Sequence, residues 1–396
     1  MKRQLIYGLF LYGLLVSMVC LSLMGCPHQP PMGRNGSLPV TSSHCSDIEK
    51  AIDLRDRIDT LDNLVLAFNE RCYETVIVYG TKAQTEYRYK TYSILRETGN
   101  IFVPDGVLTD YTLESYERGY LSFLLSASYY RLHKGEDTEV ELRRLDHELF
   151  TELYNFGEDP VNILLSAVLW EKLGEMNESR VDWNRLQGQK ELKNENDEQI
   201  RKFATNRLNA IDTAQAVHSD WKFYAVGHFP EIGWNIKFVK TNNGYFSVWA
   251  KQPFLPDCAS DTGIRISTQS WFEKIAMRHN NRYHPLLNLQ SWIRLPLGIV
   301  YSIIPLTTGA AIVVSGCAAD AYAHGNGSLC NVSIKGGVAV MKESSTVLEG
   351  TIQPDLRHWE NVPSSFLLTT SDNLAQERCY LNLPADFKNQ TFRILD

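Results

Sequence analysis

The spacing of apolar and polar positions divides the chain into stretches of different period. Residues 4–22 carry no charge, follow Lys2 and Arg3, and run into Leu23-Met24-Gly25-Cys26. From Asp47 to about Ala216, apolar side chains recur at three- and four-residue steps, as in Leu121, Leu124 and Leu125 or Leu142, Leu145 and Leu149. That period predicts helices, interrupted only near Pro104 and Pro160. Asp159-Pro160 reads as an N-cap and first-turn pair for a helix running toward Leu173. At Trp221 the texture turns to alternation. Ile236 and Phe238 against Tyr245, Ser247 and Trp249 predict a hairpin joined by Asn242-Asn243-Gly244. Residues 263–278 predict a further strand and a short helix containing Trp271, Phe272 and Ile275. The tail alternates again in VSIKGGVAVM, TVLEGTI, FLLTTS and CYLNLP, which predict strands. The fold class expected is α+β, with a helical domain over 45–218 and a smaller mixed domain over 219–396.

One stretch fits neither texture. Leu295–Ala319 has 25 residues without a charge, long enough to span a bilayer. Pro296, Pro305 and three glycines lower its hydrophobicity and would break one straight helix. A buried pair of helices kinked at Pro305 accommodates the prolines and a single anchor at the N-terminus. A transmembrane span and a surface contact with a membrane remain alternatives.

The N-terminal pattern has the form of a secretory signal over 1–25, ending in a lipobox. Leu23, Gly25 and Cys26 fit the pattern after which the cysteine is lipidated (palmitate among its acyl chains) and becomes the mature N-terminus. Met24 is bulkier than the usual small residue. Pro27 follows where an Asp would signal inner-membrane retention, so the outer membrane facing the periplasm is expected. Residues 26–44 hold the lipidated Cys26 and a Pro-, Gly- and Ser/Thr-rich tether, with nothing to bury. Its 18 residues after the cysteine reach at most ~60 Å.

Charge and cysteines sharpen the compartment. The chain has 39 basic and 46 acidic residues, and loss of Lys2 and Arg3 leaves 37 against 46, a net charge of −9. That balance gives no electrostatic case for nucleic acid. Membrane attachment must then rest on acyl chains, at roughly 0.8 kcal/mol per buried methylene. Six cysteines remain beyond Cys26: Cys45, Cys72, Cys258, Cys317, Cys330 and Cys379. An oxidising periplasm permits disulfides. Proximity pairs Cys45 with Cys72 and Cys317 with Cys330, leaving Cys258 with Cys379. No spacing of Cys and His suits zinc, and no cofactor or metal is expected.

Two portions of the helical region look alike. LLSASYYRLHKGEDTEVELRRLDHE and NILLSAVLWEKLGEMNESRVDWNRL each place an apolar helix before a glycine turn, Gly135 or Gly174, and a second helix after it. In the second copy Ala167, Trp170, Gly174, Ser179, Trp183 and Leu186 fall at the spacing of a tetratricopeptide unit. An ordinary bundle is the alternative. A stacked array offers a concave face to another protein.

Motifs for chemistry are sparse. There is no G-x-S-x-G, P-loop or G-x-G-x-x-G. His147-Glu148 begins like a zincin helix, but Thr151 stands where the second histidine is needed. Asp257 and Asp261 read as a loop, and nothing in spacing joins His279, His284, Asp320 and Ser302 as a triad. Asp355, Arg357 and Trp359, before Pro363, form a charged-aromatic cluster. It reads either as a corner held by an Asp355–Arg357 pair or as a binding determinant.

The lipobox, the glycine turn with Glu-x-Arg-Arg (Gly135, Glu141, Arg143, Arg144), Gly-x-x-Pro (Gly227, Pro230) and Asp-x-Arg-x-Trp-x-x-x-Pro (Asp355, Arg357, Trp359, Pro363) together resemble an uncharacterised family of bacterial envelope lipoproteins with tetratricopeptide-like N-terminal helices. The resemblance implies an envelope lipoprotein and no particular activity. The function expected is that of a lipid-anchored, non-enzymatic scaffold binding a protein partner in envelope assembly, secretion or maintenance. The alternatives are an envelope hydrolase with its site between the two domains, or a membrane-integrated component acting through 295–319.

Overall fold

Capping chemistry sets the ends of the helices. The computed structural model describes residues 45–87, 111, 113–150, 159–189, 195–213, 222–241, 244–251, 254, 263–277, 290–323, 327–353, 356–369 and 392–395. Helices α1 (Cys45–Ala51), α2 (Arg57–Asn69) and α3 (Tyr73–Glu86) come first. The Asp56 carboxylate caps α2 by accepting the Asp59 N–H at 3.1 Å. In α4 (Ser115–Arg131), Glu117 reaches back to accept the Glu114 N–H at 2.7 Å. α5 (Gly135–Phe150), α6 (Pro160–Leu173), α7 (Met176–Gly188) and α8 (Glu195–Asp212) follow.

Asp159 caps α6, accepting the Asn162 N–H at 3.2 Å, with Pro160 in the first turn. Gly174 ends α6 at φ 86°, a conformation open to glycine at little cost. Before α5 the left-handed residue is His133 (φ 57°), and Gly135 is the first residue of the helix instead.

Paired polar contacts hold successive helices together. Gln84 of α3 donates to Ser122 of α4 at 2.8 Å and to Glu141 of α5 at 3.2 Å. Arg144 pairs with Glu141 at 2.7 Å and also donates to Gln84. Its neighbour Arg143 turns the other way, to Glu178 of α7 at 3.2 Å and over the Trp170 ring of α6. The two arginines of one motif thus tie α5 to both sides. Between α6 and α7, Ser179 donates to the Ala167 carbonyl at 2.9 Å, and the buried Trp183 indole donates to Glu171 at 2.7 Å.

The strands are β1 (Lys222–Val226), β2 (Ile232–Thr241), β3 (Gly244–Ala250) and β4 (Gly263–Ser267), then β5 (Ser365–Thr369) and β6 (Phe392–Leu395). β2 and β3 form the expected antiparallel hairpin, with Thr241 opposite Gly244. The other four make an antiparallel sheet in the order β4-β5-β1-β6. A short helix, α9 (Gln269–Met277), follows β4. The protein is of the α+β class, mostly helical, with two small antiparallel sheets among the described residues.

Helices and sheet meet in one apolar core. Tyr120 and Phe123 of α4 lie against it: Phe123 packs edge-on to Phe223 of β1 at 6.1 Å, and Phe223 stacks on Phe366 of β5 at 5.4 Å. The Trp271 indole of α9 donates to the Asp159 carboxylate at 2.7 Å, which joins α9 to the start of α6.

Between β4 and β5 the chain makes two long helices, α10 (Gln290–Tyr322) and α11 (Ser328–Ile352). This corrects the strands expected in VSIKGGVAVM and TVLEGTI, which both lie in α11. Their apolar residues lie on the exposed as well as the packed side of the helix, so the polar contrast that marks helical period is missing. Gly336-Gly337 looked like a break. Gly337 instead sits where α11 crosses α10, and an added Cβ there would come within 2.5 Å of the Gly309 carbonyl. FLLTTS contains β5 as expected, whereas CYLNLP lies outside the described residues.

Disulfides join Cys45 to Cys72, tying α1 to the start of α3, and Cys317 to Cys330, tying α10 to α11. Both pairings match proximity in the chain. Cys258 and Cys379 lie outside the described residues.

Two substitutions test this packing by chemical denaturation. Trp359 is fully buried against Tyr120, and Trp359→Ala is expected to cost about 3–5 kcal/mol. The buried Tyr120 hydroxyl has no hydrogen-bond partner among the described residues. Tyr120→Phe is therefore expected to leave stability unchanged or raise it, and a large loss would contradict a purely steric role for that ring.

Candidate functional site

Of the expected site residues, Cys26 and Asp355 lie outside the described residues, while Arg357 and Trp359 belong to a short segment, 356–364, that works as a clamp. It follows α11 and returns the chain to the body. The backbone N–H of Trp359 donates to Glu117 of α4 at 2.9 Å. Glu117 also accepts from the Tyr116 hydroxyl at 3.1 Å and from the Tyr111 hydroxyl. Arg118, next along α4, is buried with Glu148 at 2.7 Å and donates to the Leu113 carbonyl at 2.7 Å.

The rest of the clamp is stitched in the same way. Val362 accepts from Phe229 at 2.8 Å, just past the turn at Gly227 (φ 71°). The Thr268 hydroxyl donates to the Pro363 carbonyl at 2.8 Å, and the Ser364 hydroxyl to the Val226 carbonyl at 2.9 Å. Arg357 lies over the Tyr111 ring at 5.9 Å. Trp359 is wholly inside the core, so its ring is placed for packing and is not presented to a partner. The motif's described residues pin this segment to α4, to the turn after β1 and to Thr268 at the end of β4.

An acidic edge flanks the clamp. Asp62 of α2 accepts the Asn361 N–H at 2.8 Å. Burial under the clamp outweighs that bond, and with Glu360, Asp59 and Asp56 nearby it pushes the Asp62 acid up to about 8. Burial likewise raises Glu360, with Glu231 and Asp56 adding to the effect. On α7 the buried Asp182 is raised to about 6, mainly by desolvation, although Ser166 and Arg185 favour its charged form.

The second feature is the pair α10–α11. The expectation for 295–319 was a buried pair of helices kinked at Pro305. Instead α10 is one helix of 33 residues running through Pro296 and Pro305. Only 17% of its most apolar stretch is buried. Its partner is α11, and no other described element packs along it to any extent. Pro305 itself is buried, while Ile299, Val300, Tyr301, Ile303, Ile304 and Leu306 around it are exposed.

The contact between the two helices is made by small residues. A Cβ at Gly309 would lie 2.4 Å from the Gly337 carbonyl, and one at Gly316 would collide with Ser333. At the far end the Cys317–Cys330 disulfide and a bond from the Cys330 N–H to buried Asp320, 3.1 Å, close the tip. Val332, Leu329 and Val338 extend the exposed apolar surface onto α11. Sequence reasoning missed these three. The available signal was Gly309 and Gly316, seven residues apart on one helical face, matched by Gly337 after the tip.

Elsewhere, a shallow groove between α7 and α8 is lined by Gln187, Glu198, Arg201, Lys202, Thr205 and Asn206. Its charges pair within the groove, Glu198 with Arg201 at 2.7 Å and with Lys202 at 3.6 Å. His147 and Glu148 lie on α5, and Glu148 is committed to Arg118. Among the described residues no three His, Cys, Asp or Glu side chains gather as a metal site would require. No protein-family model, curated protein or solved structure matches the chain.

The raised acids give a signed pH dependence. Asp62 and Asp182 hold protons in the folded chain that they release when unfolded, so folding binds protons between about pH 4 and the raised values. Stability is expected to fall as pH rises from 5 to 8. Urea midpoints measured across that range should flatten between pH 6 and 8 in Asp62→Asn. An identical slope in the variant would show that Asp62 does not carry the effect.

Proposed function

We propose that the chain is a lipid-anchored scaffold of the bacterial cell envelope, held at the outer membrane by acylated Cys26 and facing the periplasm. The observation that carries this reading is Leu23-Met24-Gly25-Cys26 at the end of an uncharged run, followed by a tether with nothing to bury. Support comes from the two disulfides, which suit an oxidising compartment. The resemblance to envelope lipoproteins points the same way.

The scaffold offers α4–α8 as tetratricopeptide-like helix pairs to a protein partner in envelope assembly, secretion or maintenance. The second pair supports that reading. Ser179 approaches the Ala167 carbonyl, Gly174 makes the turn, and Trp183 fills the space beside α6. In the first pair, Val140 of α5 is exposed.

Metabolic labelling with palmitate tests the anchor. The full chain is expected to incorporate label, and Cys26→Ser to lose it entirely. Label retained in that variant would place the acyl chain elsewhere.

A further inference from the structure

A helix that is apolar on every side has two stable surroundings, the interior of a large protein or the interior of a membrane. α10 has the first only along its seam with α11. At about 100° per residue, positions 299, 300, 301, 303, 304 and 306 point in nearly every direction except toward that seam. All six carry large apolar side chains, and all six are exposed. Val314, further along, is 68% exposed.

The hydroxyls on the same surface ask nothing of water. Ser302 donates to the Ile299 carbonyl at 2.8 Å, Thr307 to Ile303 at 2.8 Å, Thr308 to Ile304 at 2.8 Å and Ser315 to Ile312 at 3.2 Å. Each therefore closes on its own helix.

We propose that the α10–α11 hairpin is embedded in the hydrocarbon of a lipid bilayer, an attachment separate from the acyl chains of Cys26. Three independent observations favour lipid over a second copy of the chain. A partner helix would cover one stripe of α10, and the exposed apolar residues are not confined to a stripe. The α10–α11 contact uses Gly309, Gly316 and Gly337, which bring the two backbones together and leave room for Met341, Ser333 and Val313 from the facing helix. That is how helices associate where burial in lipid leaves no hydrophobic gain from meeting. Length also fits. The 30 residues from Ile293 to Tyr322 rise about 45 Å, against about 30 Å of hydrocarbon.

Prolines within α10 are compatible with this setting, since helices that cross membranes tolerate them. Residues 328–341 of α11 carry one charge, the exposed Lys335, whose four-carbon stem is long enough to carry its ammonium toward a headgroup region, and the exposed Lys342 and Glu343 follow where the uncharged stretch ends. The base and tip are the polar ends. Arg294 is buried where α10 begins, and Asp320 is engaged at the tip.

Cysteine accessibility in the full chain, in native membranes, tests the proposal. Val300→Cys and Val314→Cys report on the hairpin, and Val181→Cys on exposed α7 reports on the body. All three replace exposed side chains, and the unsubstituted chain supplies the background. With a membrane-impermeant maleimide, the hairpin cysteines are expected to label at least ten-fold more slowly than Val181→Cys. Dissolving the bilayer in mild detergent should bring the three rates together. Equal labelling in intact membranes overturns the proposal. So does protection that survives detergent with Val314→Cys chains cross-linking to one another, which would mean that a second copy covers the surface. Palmitate labelling is read separately, so failure of the Cys26 reading leaves this result interpretable.

Discussion

Tyr120 of α4 touches Trp271, Trp359 and Phe366 at ring separations of 5.3, 5.3 and 5.9 Å, so one helical residue joins α9, the clamp and the sheet. Its neighbours extend the contact. Tyr116 stacks on Trp271 at 5.2 Å, and Phe123 meets Phe223. Such rings bury some 150–250 Å² each and dominate a core of this size. Charged groups depend on this packing. Glu117 sits beneath Trp359 with its carboxylate saturated by N–H and O–H donors, and Arg118 is sealed against Glu148. Removing either partner of a buried ion pair of that kind would leave the other charge buried without its counter-charge. At the other end of α4, Arg131 donates to the Ile394 carbonyl of β6 at 3.0 Å. The helix is thus fastened at its start, middle and end to parts of the chain more than two hundred residues away.

Features set by neighbours in the chain were legible in the sequence. Asp159, Pro160 and Gly174 delimit α6 because caps and turns are chosen within four residues. Asn242-Asn243-Gly244 between alternating runs marked the β2–β3 hairpin, and short separations marked the two disulfides. What depended on the surroundings was not legible. Residues 295–319 were read as interior because Pro296 and Pro305 argued against one straight helix and one anchor at the N-terminus sufficed, yet the tolerance of a helix for Pro305 depends on what packs beside it. Residues 332–352 lost their helical signature because both faces of α11 are apolar near the tip. Trp359 sat in a charged motif that resembled a surface corner, yet its burial is fixed by Tyr120, 239 positions earlier in the chain.

The clamp gives the two proposed attachments different mechanical character. On the proposed reading, the first attachment is the acyl chains of Cys26, joined to the body by a run of 18 residues rich in Pro, Gly, Ser and Thr. The clamp that follows α11 is held to the body by hydrogen bonds with the Val226 carbonyl, the Phe229 N–H and Thr268. On the proposed reading, acylation determines which membrane the body is near, and the hairpin determines which face of the body that membrane sees. The helix pairs α4–α8 would then be presented in a fixed direction, as a scaffold requires.

β4 and β5 are adjacent antiparallel strands, paired from Gly263–Thr369 to Ser267–Ser365, yet nearly a hundred residues separate them in the chain. Topologically, α9, the hairpin and the clamp are the loop of one very long β-hairpin. The entropy of closing such a loop grows only with the logarithm of its length. Adding or removing whole turns at the tips of α10 and α11 would therefore alter neither strand register nor core. On the proposed bilayer reading, turns gained or lost at the tip would change the hairpin's reach into the hydrocarbon while the body stayed the same.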